Sequence, residues 1–140
     1  MSLDSCVLLH ATKMRALLTN IFVRYFSEIP KENSENIPLW LSLLIKDMEK
    51  PENFTAGTKR MIELSGKSRE HLSRSMQKHL NTSISNFINE LRINYSANLL
   101  LYTNASVLDI CYNSGFGTTS QFYKLFKEKY GVSPKEFRKL

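Results

Sequence analysis

Two stretches of the sequence, residues 66–87 and 117–137, place basic and hydroxyl side chains at matched positions. With an offset of fifty residues, Arg74 aligns with Lys124, and a serine near the end of the first stretch aligns with a serine in the second. Arginine and lysine bond guanine edges and phosphates, and serine and threonine hydroxyls bond either kind of group. The repeated pattern therefore predicts binding to a polyanion.

The net charge of +6 is concentrated in these two repeated segments. Residues 59–80 carry six basic and two acidic groups, and residues 118–140 carry the same numbers, so each segment holds a charge of +4. Residues 1–58 and residues 81–117 each carry −1. One basic stretch is usually a solvated surface, but two equal stretches at equivalent points of a repeat favour a shared polyanionic partner.

Each repeated segment contains an amphipathic helix whose outward face carries side chains suited to base recognition. Apolar residues such as Leu72 and Phe122 form the inward stripes of the two helices. The predicted base contacts are Arg69, Glu70, Ser73, Arg74, Thr119, Ser120, Tyr123 and Lys124. An ion pair between Glu70 and Arg74, four residues apart, is the alternative for those two side chains.

Helix N-termini and nearby basic residues supply candidate phosphate contacts. A helix N-terminus presents free N–H groups and the positive end of the helix dipole. The predicted phosphate contacts are Ser68, Lys78, Ser83, Thr118, Lys127, Ser133, Lys135 and Arg138. The four hydroxyl residues are N-caps in the first place, so a phosphate contact is a second role for them.

The apolar spacing predicts an all-α chain, because apolar residues recur at intervals of three and four without period-two runs of β-branched residues. Residues 7–27 form a predicted amphipathic helix, which a proline-containing linker follows. The next helix begins at about Pro38. Its predicted core stripe consists of Trp40, Leu41, Leu43, Leu44 and Met48.

The first repeat has the pattern of a helix-turn-helix unit. A short helix over about 56–64 precedes a turn at Gly66 and a basic helix over 68–79. A long helix over 83–101 follows. Arg92 lies among apolar neighbours in this long helix, so we predict that it is a structural anchor that bonds helix ends.

The second repeat has the same pattern. Ser106 caps its first helix, and the residues 115–117 form the turn. Thr118 caps the basic helix, which ends at Gly131. The motif "SPKEF" from Ser133 combines an N-cap, a proline at the first helical position and a glutamate at the third, which is a capping box.

Motifs for catalysis or metal binding are absent from the sequence. The three histidines are scattered, and Cys6 and Cys111 have no CxxC or metal-ligand neighbour, so both thiols are expected to be buried or incidental. No Gly-rich phosphate loop, carboxylate pair or nucleophile motif occurs. We therefore predict no enzyme activity, no cofactor and no metal site. The apolar runs are also too short to span a bilayer, so no membrane partner is expected.

The stretch "IELSGKSREHLSRSMQKHLNTSISNFINELRINYSANLLLYTNASVLDICYNSGFGTTSQFYKLFKEKYGVSPKEFRK" resembles the DNA-binding domain of AraC/XylS-type bacterial transcription regulators. The most specific part is "SVLDICYNSGF" followed by "SQFYKLFKEKYGVSPKEFR", and "LRINYSANLLLYTN" resembles the linker helix of that family. The resemblance covers about residues 38–140. Within the family the chain resembles regulators of chitobiose or cellobiose operons, partly through "KMRALLTNIFVRYF".

This resemblance implies a homeodomain-like domain of seven helices, in which two helix-turn-helix subdomains, about 38–82 and 102–140, are joined by a rigid helix over 83–101. The two reading helices would enter successive major grooves on one face of double-stranded DNA. Asn81 replaces the glycine usual in the family, although asparagine also tolerates the left-handed conformation. Residues 1–37 are then a helix and linker that remain from an N-terminal sugar-sensing domain, which is absent here.

The resemblance further implies a cytoplasmic bacterial regulator of a sugar-utilisation operon, with activation through RNA polymerase. Two other functions fit the same residues. In a helical protein-interaction module, the basic faces would meet an acidic protein. In an architectural DNA-binding protein, the same faces would bind duplex DNA without sequence preference.

Overall fold

The computed structural model describes residues 37–140; the predicted helix over 7–27, the linker after it and Cys6 lie outside the described residues. The described chain, Ile37–Leu140, forms one compact unit. It is all-α as predicted, with no strand between residues 37 and 140. Among these helices, none combines the length and the apolar character that crossing a bilayer requires.

Eight helices occur within the described residues, one more than the resemblance implies. They are α1 (Leu39–Met48), α2 (Pro51–Ala56), α3 (Thr58–Ser65), α4 (Arg69–Leu80), α5 (Ile84–Tyr102), α6 (Val107–Asn113), α7 (Thr119–Tyr130) and α8 (Pro134–Lys139). The helix predicted to start at about Ala56 starts instead at Thr58. Gly57, with a φ of 83°, separates α2 from α3, because a residue with that φ cannot continue an α-helix.

The two repeats fold as predicted into a short helix, a glycine turn and a second helix. α3 and α4 form the first unit, and α6 and α7 form the second. The residue that follows α4 is Asn81, with a φ of 49°, and the residue that follows α7 is Gly131, with a φ of 76°. Asn81 thus takes the left-handed conformation that glycine takes in the second repeat. The apolar stripes of the two helices are buried as predicted: Leu72, Met76, Phe122 and Phe126.

α1 buries a narrower stripe than the sequence predicts. Leu41, Leu44 and Met48 are buried in the core of the first repeat, whereas Trp40 is half-buried and Leu43 is 55% exposed. The prediction of Leu43 as a core residue is wrong. Two residues turn an α-helix by about 200°, so Leu43 points away from the face that carries Leu41.

α5 contributes to the packing of both repeats. Its 19 residues span about 28 Å. Phe87 lies in the core of the first repeat, while the helix also contacts α6, α7 and α8. The Tyr130 hydroxyl of α7 donates to Asn94 Oδ1 at 3.3 Å. Burial, with the nearby Glu90 carboxylate, raises the pKa of Tyr130 to about 12, so this hydroxyl stays a neutral donor.

The Cys111 side chain packs inside the second repeat. It is fully buried, and its Sγ lies 3.8 Å from the Thr118 carbonyl oxygen. Burial raises the pKa of the Cys111 thiol, which keeps it in the neutral, unreactive form. The expectation of a buried thiol is therefore confirmed for Cys111.

The Arg92 side chain ties α5 to α2 and to the turn of the second repeat. Its Nε donates to the Phe54 carbonyl at 3.0 Å, and its Nη2 donates to the Thr55 carbonyl at 2.9 Å. The guanidinium carbon also lies 5.8 Å from the centroid of the Phe116 ring, in the turn before α7. Burial lowers the pKa of the Arg92 guanidinium, but the two carbonyls at the C-terminal end of α2 favour its charged form. The prediction of Arg92 as a structural anchor is confirmed.

Gly115 brings the turn of the second repeat against α2. Its φ is 91°, in the region that favours glycine. A Cβ atom added there would lie 2.6 Å from the Thr55 carbonyl oxygen and 2.9 Å from Arg92 Nε. A residue with a side chain would therefore separate the turn from α2 and from Arg92.

We expect Gly115→Ala to lower the free energy of unfolding by about 2–3 kcal/mol, because it adds a backbone clash to a strained φ. Gly117→Ala is the matched control, since no atom lies within 4 Å of a Cβ added at Gly117. Its effect should stay below about 1 kcal/mol. Urea unfolding followed by circular dichroism measures both values. Equal stability of the two variants would contradict the close packing of this turn on α2.

Candidate nucleic-acid interface

α4 presents the predicted base contacts of the first repeat to solvent. Arg69, Glu70, Ser73 and Arg74 are all exposed, on the side of the helix away from its buried stripe. No ion pair joins Glu70 to Arg74 within the described part of the chain. The four side chains therefore form one polar face that an external partner can reach.

α7 presents the equivalent face of the second repeat. Ser120 and Lys124 are exposed, while Thr119 and Tyr123 are half-buried. The Tyr123 ring packs edge-on against the Phe122 ring, with 5.8 Å between the ring centroids. This contact holds one side of the Tyr123 ring against the core, so less of its surface is free than for the exposed residues of α4.

The four hydroxyl residues predicted as N-caps all cap their helices. The hydroxyl oxygens of Ser68, Ser83, Thr118 and Ser133 accept a hydrogen bond from the backbone N–H three residues ahead, at 3.2, 3.1, 3.3 and 3.3 Å respectively. Each hydroxyl acts as an acceptor in these bonds, so its own O–H remains able to donate. A phosphate at any of these helix ends is compatible with the capping bond.

The N-termini of α5 and α8 differ in spite of their matched serines. The first turn of α5 contains no acidic residue, and the backbone N–H groups of Ile84 and Ser85 have no acceptor within the helix. At α8, the Glu136 carboxylate accepts from the Ser133 backbone N–H at 2.8 Å and completes the predicted capping box. Pro134 contributes no N–H group. α5 therefore offers the more open site for a phosphate.

The basic residues predicted as phosphate contacts also divide into two groups. Lys78, Lys127 and Lys135 are exposed. Arg138 is half-buried, and its Nη2 donates to the Ala105 carbonyl oxygen, which holds α8 to the loop between α5 and α6. The sequence did not indicate this structural contact, because the two residues lie 33 positions apart.

The structure also assembles a basic and aromatic cluster that the sequence did not indicate. Lys67 Nζ lies 5.6 Å from the centroid of the Trp40 ring, and the His71 ring lies 5.7 Å from the same ring. The sequence places Trp40 in a core stripe. Only the packing of α1 against the start of α4 shows that its ring borders the basic face.

The described chain thus contains two helix-turn-helix units, and comparison with known proteins agrees with this class. A family model described as a helix-turn-helix domain matches residues 61–140. The melibiose operon regulatory protein of Escherichia coli K12 is 44% identical over 50 residues, which are 36% of this chain and 17% of that protein. The HTH-type transcriptional regulator MtrA of Neisseria gonorrhoeae is 34% identical over 97 residues, which are 69% of this chain and 32% of that protein.

A solved structure shows the same fold. The C-terminal domain of AraT, a response regulator from Geobacillus stearothermophilus, superposes with a TM-score of 0.65 at 24% identity, over 75% of this chain and 88% of that one. The chain belongs to the AraC/XylS-type helix-turn-helix family of transcription regulators. The matched segments span 17% to 32% of the two curated relatives named above. The narrower resemblance to chitobiose or cellobiose operon regulators stays a prediction.

We expect the Glu136 capping bond to make folding stability depend on pH. Hydrogen bonds from Ser133 lower the pKa of the Glu136 carboxyl from 4.5. The ionised carboxylate therefore stabilises the folded chain above about pH 4.5, and this contribution is lost as the pH falls through the lowered folded-state pKa. The difference in melting temperature between wild type and Glu136→Gln should be present near pH 7 and shrink below about pH 4.5. A difference that stays constant down to about pH 3 would contradict this role.

Proposed function

We propose that this chain binds double-stranded DNA sequence-specifically, with α4 and α7 as the two reading helices. The observation that carries the proposal is the repeated arrangement itself. Each helix is capped, buries its apolar stripe and leaves an outward face that carries cationic and hydroxyl side chains. An α-helix of this kind fits the major groove, where these side-chain types bond base edges.

The length of α5 supports the placement of the reading helices in successive major grooves. Equivalent major grooves on one face of DNA recur every 34–36 Å or so. α5 spans about 28 Å, and both reading helices pack against it; α7 is bonded to Glu90 and Asn94 in the middle part of α5. A remaining shortfall would be met by bending the DNA, at a cost of a few kcal/mol.

We assign base contacts to the polar faces of the reading helices and phosphate contacts to the helix ends beside them. The proposed base contacts are Arg69, Glu70, Ser73, Arg74, Thr119, Ser120, Tyr123 and Lys124. The proposed phosphate contacts are Ser68, Lys78, Ser83, Thr118, Lys127, Ser133, Lys135 and Arg138. Among these, Ser83 is the most favourable, because the N-terminus of α5 is open. The Ser133 backbone N–H already donates to Glu136, and the Arg138 guanidinium already donates to the Ala105 carbonyl oxygen.

The biological role that we propose is transcription activation at a sugar-utilisation operon in the bacterial cytoplasm. A relative is named as the regulatory protein of the melibiose operon, and melibiose is a sugar. In this role the chain acts together with RNA polymerase and with a sugar-sensing domain N-terminal to the described residues. The described part of the chain would select the DNA site, and the sensing domain would bind the sugar and respond to it.

Selection of bound sequences from a random duplex pool tests the proposal. The chain should enrich a site of about two helical turns. Arg74→Ala should cost about 1–3 kcal/mol at one base pair and relax the preference there. Lys127→Ala is the comparison variant. Loss of a phosphate contact should weaken binding to all sequences, and the slope of the logarithm of the binding constant against the logarithm of the salt concentration should become about one unit less steep. Binding without an enriched site would support an architectural protein, and no duplex binding would support a protein-interaction module.

We expect Asn86→Glu to weaken duplex binding without loss of folding stability. The change recreates at α5 the capping box of α8, so a carboxylate would accept from the Ser83 backbone N–H and place a negative charge beside the free Ile84 and Ser85 N–H groups. Asn98→Glu adds the same charge at an exposed position far from the N-terminus of α5. Fluorescence anisotropy with one fixed duplex should show the larger loss for Asn86→Glu. Equal losses would indicate a general charge effect and contradict a phosphate site at this helix end.

A further inference from the structure

A groove lies between the N-terminal end of α1 and one flank of α4. It has a volume of about 360 Å³, and Trp40 lines it on the side of α1. His71, Lys78 and His79 line it on the side of α4, and Arg74 stands where the groove meets the base-reading face. The groove therefore combines an aromatic wall from α1 with a basic wall from α4.

The equivalent flank of α7 does not have this character. With the offset of fifty, Gln121 takes the place of His71, Glu128 that of Lys78, and Lys129 that of His79. The one basic residue among them, Lys129, is bound by Glu90 Oε1 at 3.0 Å. The basic flank thus belongs to the first repeat alone, so the fold that both repeats share does not require it.

The position of the groove relative to the reading face indicates what it would meet on DNA. An α-helix with its side chains is about 10–12 Å wide and the major groove is about 12 Å wide, so a helix in the groove lies close to both phosphate walls. On α4, Lys78 and His71 lie about 40° and 60° around the helix axis from Arg74. When Arg74 faces the bases, the basic flank faces a sugar–phosphate strand.

We propose that this groove binds the DNA backbone beside α4 and makes the N-terminal end of α1 part of the DNA interface. Lys78 pairs with a phosphate, His71 donates an N–H group to the same strand, and the Trp40 ring packs against the adjacent sugar. The inference rests on the proposed function, because it needs α4 to lie in a major groove. The polar side chains of the groove are exposed or half-buried, so they do not enclose a small anion, whereas a strand offers several neighbouring phosphates.

The tryptophan fluorescence of the full chain tests the proposal directly. Trp40 is the single tryptophan of the sequence, so its emission reports on this groove and on no other part of the protein. Titration with an unlabelled duplex of about two helical turns should change the emission with the same midpoint that anisotropy gives for the labelled duplex. Lys78→Gln should weaken binding about five- to tenfold at 0.1 M salt and lower the salt slope by about one.

A matched pair of variants tests whether the flank of α4 contributes to duplex binding and the flank of α7 does not. His71→Ala and Gln121→Ala remove exposed side chains at equivalent positions of α4 and α7. We expect severalfold weaker duplex binding for His71→Ala and unchanged binding for Gln121→Ala. Circular dichroism confirms that both variants are folded before binding is compared.

The possible outcomes distinguish this inference from the proposed function. If the duplex binds but the Trp40 emission stays constant and His71→Ala binds as wild type does, the groove proposal is overturned and the proposed function stands. If no duplex binds, both are overturned. If inorganic tripolyphosphate changes the emission and the duplex does not compete with it, the groove takes a free phosphate compound and the assignment to the DNA backbone is overturned.

Discussion

The guanidinium of Arg92 is the contact on which the placement of the second repeat against α2 and α5 depends. It is partly desolvated, and a desolvated charge is tolerated only where acceptors surround it. The Phe54 and Thr55 carbonyls supply these acceptors at the end of α2, while Gly57 and Gly115 leave room for the side chain. Because the same side chain belongs to α5 and meets the turn before α7, it sets α2, α5 and that turn against one another.

The two repeats share a backbone design but differ in the groups that they leave for a partner. At α8, Glu136 uses the N–H group that would otherwise face a phosphate, while the first turn of α5 carries no acidic residue. Beside the reading helices, the flank of α4 is basic and bordered by Trp40, whereas Lys129 on α7 is bound by Glu90. The two repeats therefore present different groups to solvent, although each repeated segment of the sequence carries the same charge of +4.

Local features of the sequence predicted most of the fold and the position of both polar faces. The caps at Ser83 and Ser133 and the left-handed ends of α4 and α7 are decided within a few residues, so they follow from residue type and spacing. The start of α3 and the exposure of Leu43 were predicted wrongly. Gly57 interrupts an otherwise helical pattern. Leu43 lies next to the buried stripe, and its residue type alone does not show whether another helix covers it.

The sequence by itself determined the helix ends, the buried stripes and the pairing of two basic helices, because each depends on interactions between residues a few positions apart. The tertiary structure decided which basic side chains remain available to a partner, although the apolar neighbours of Arg92 in the sequence already indicated an anchor there. Arg92, Lys129 and Arg138 bond to groups 38, 39 and 33 positions away, and no local pattern identifies such partners. A charge of the same type is thus a structural contact in one place and a free surface group in another, and the difference comes from chain segments that only folding brings together.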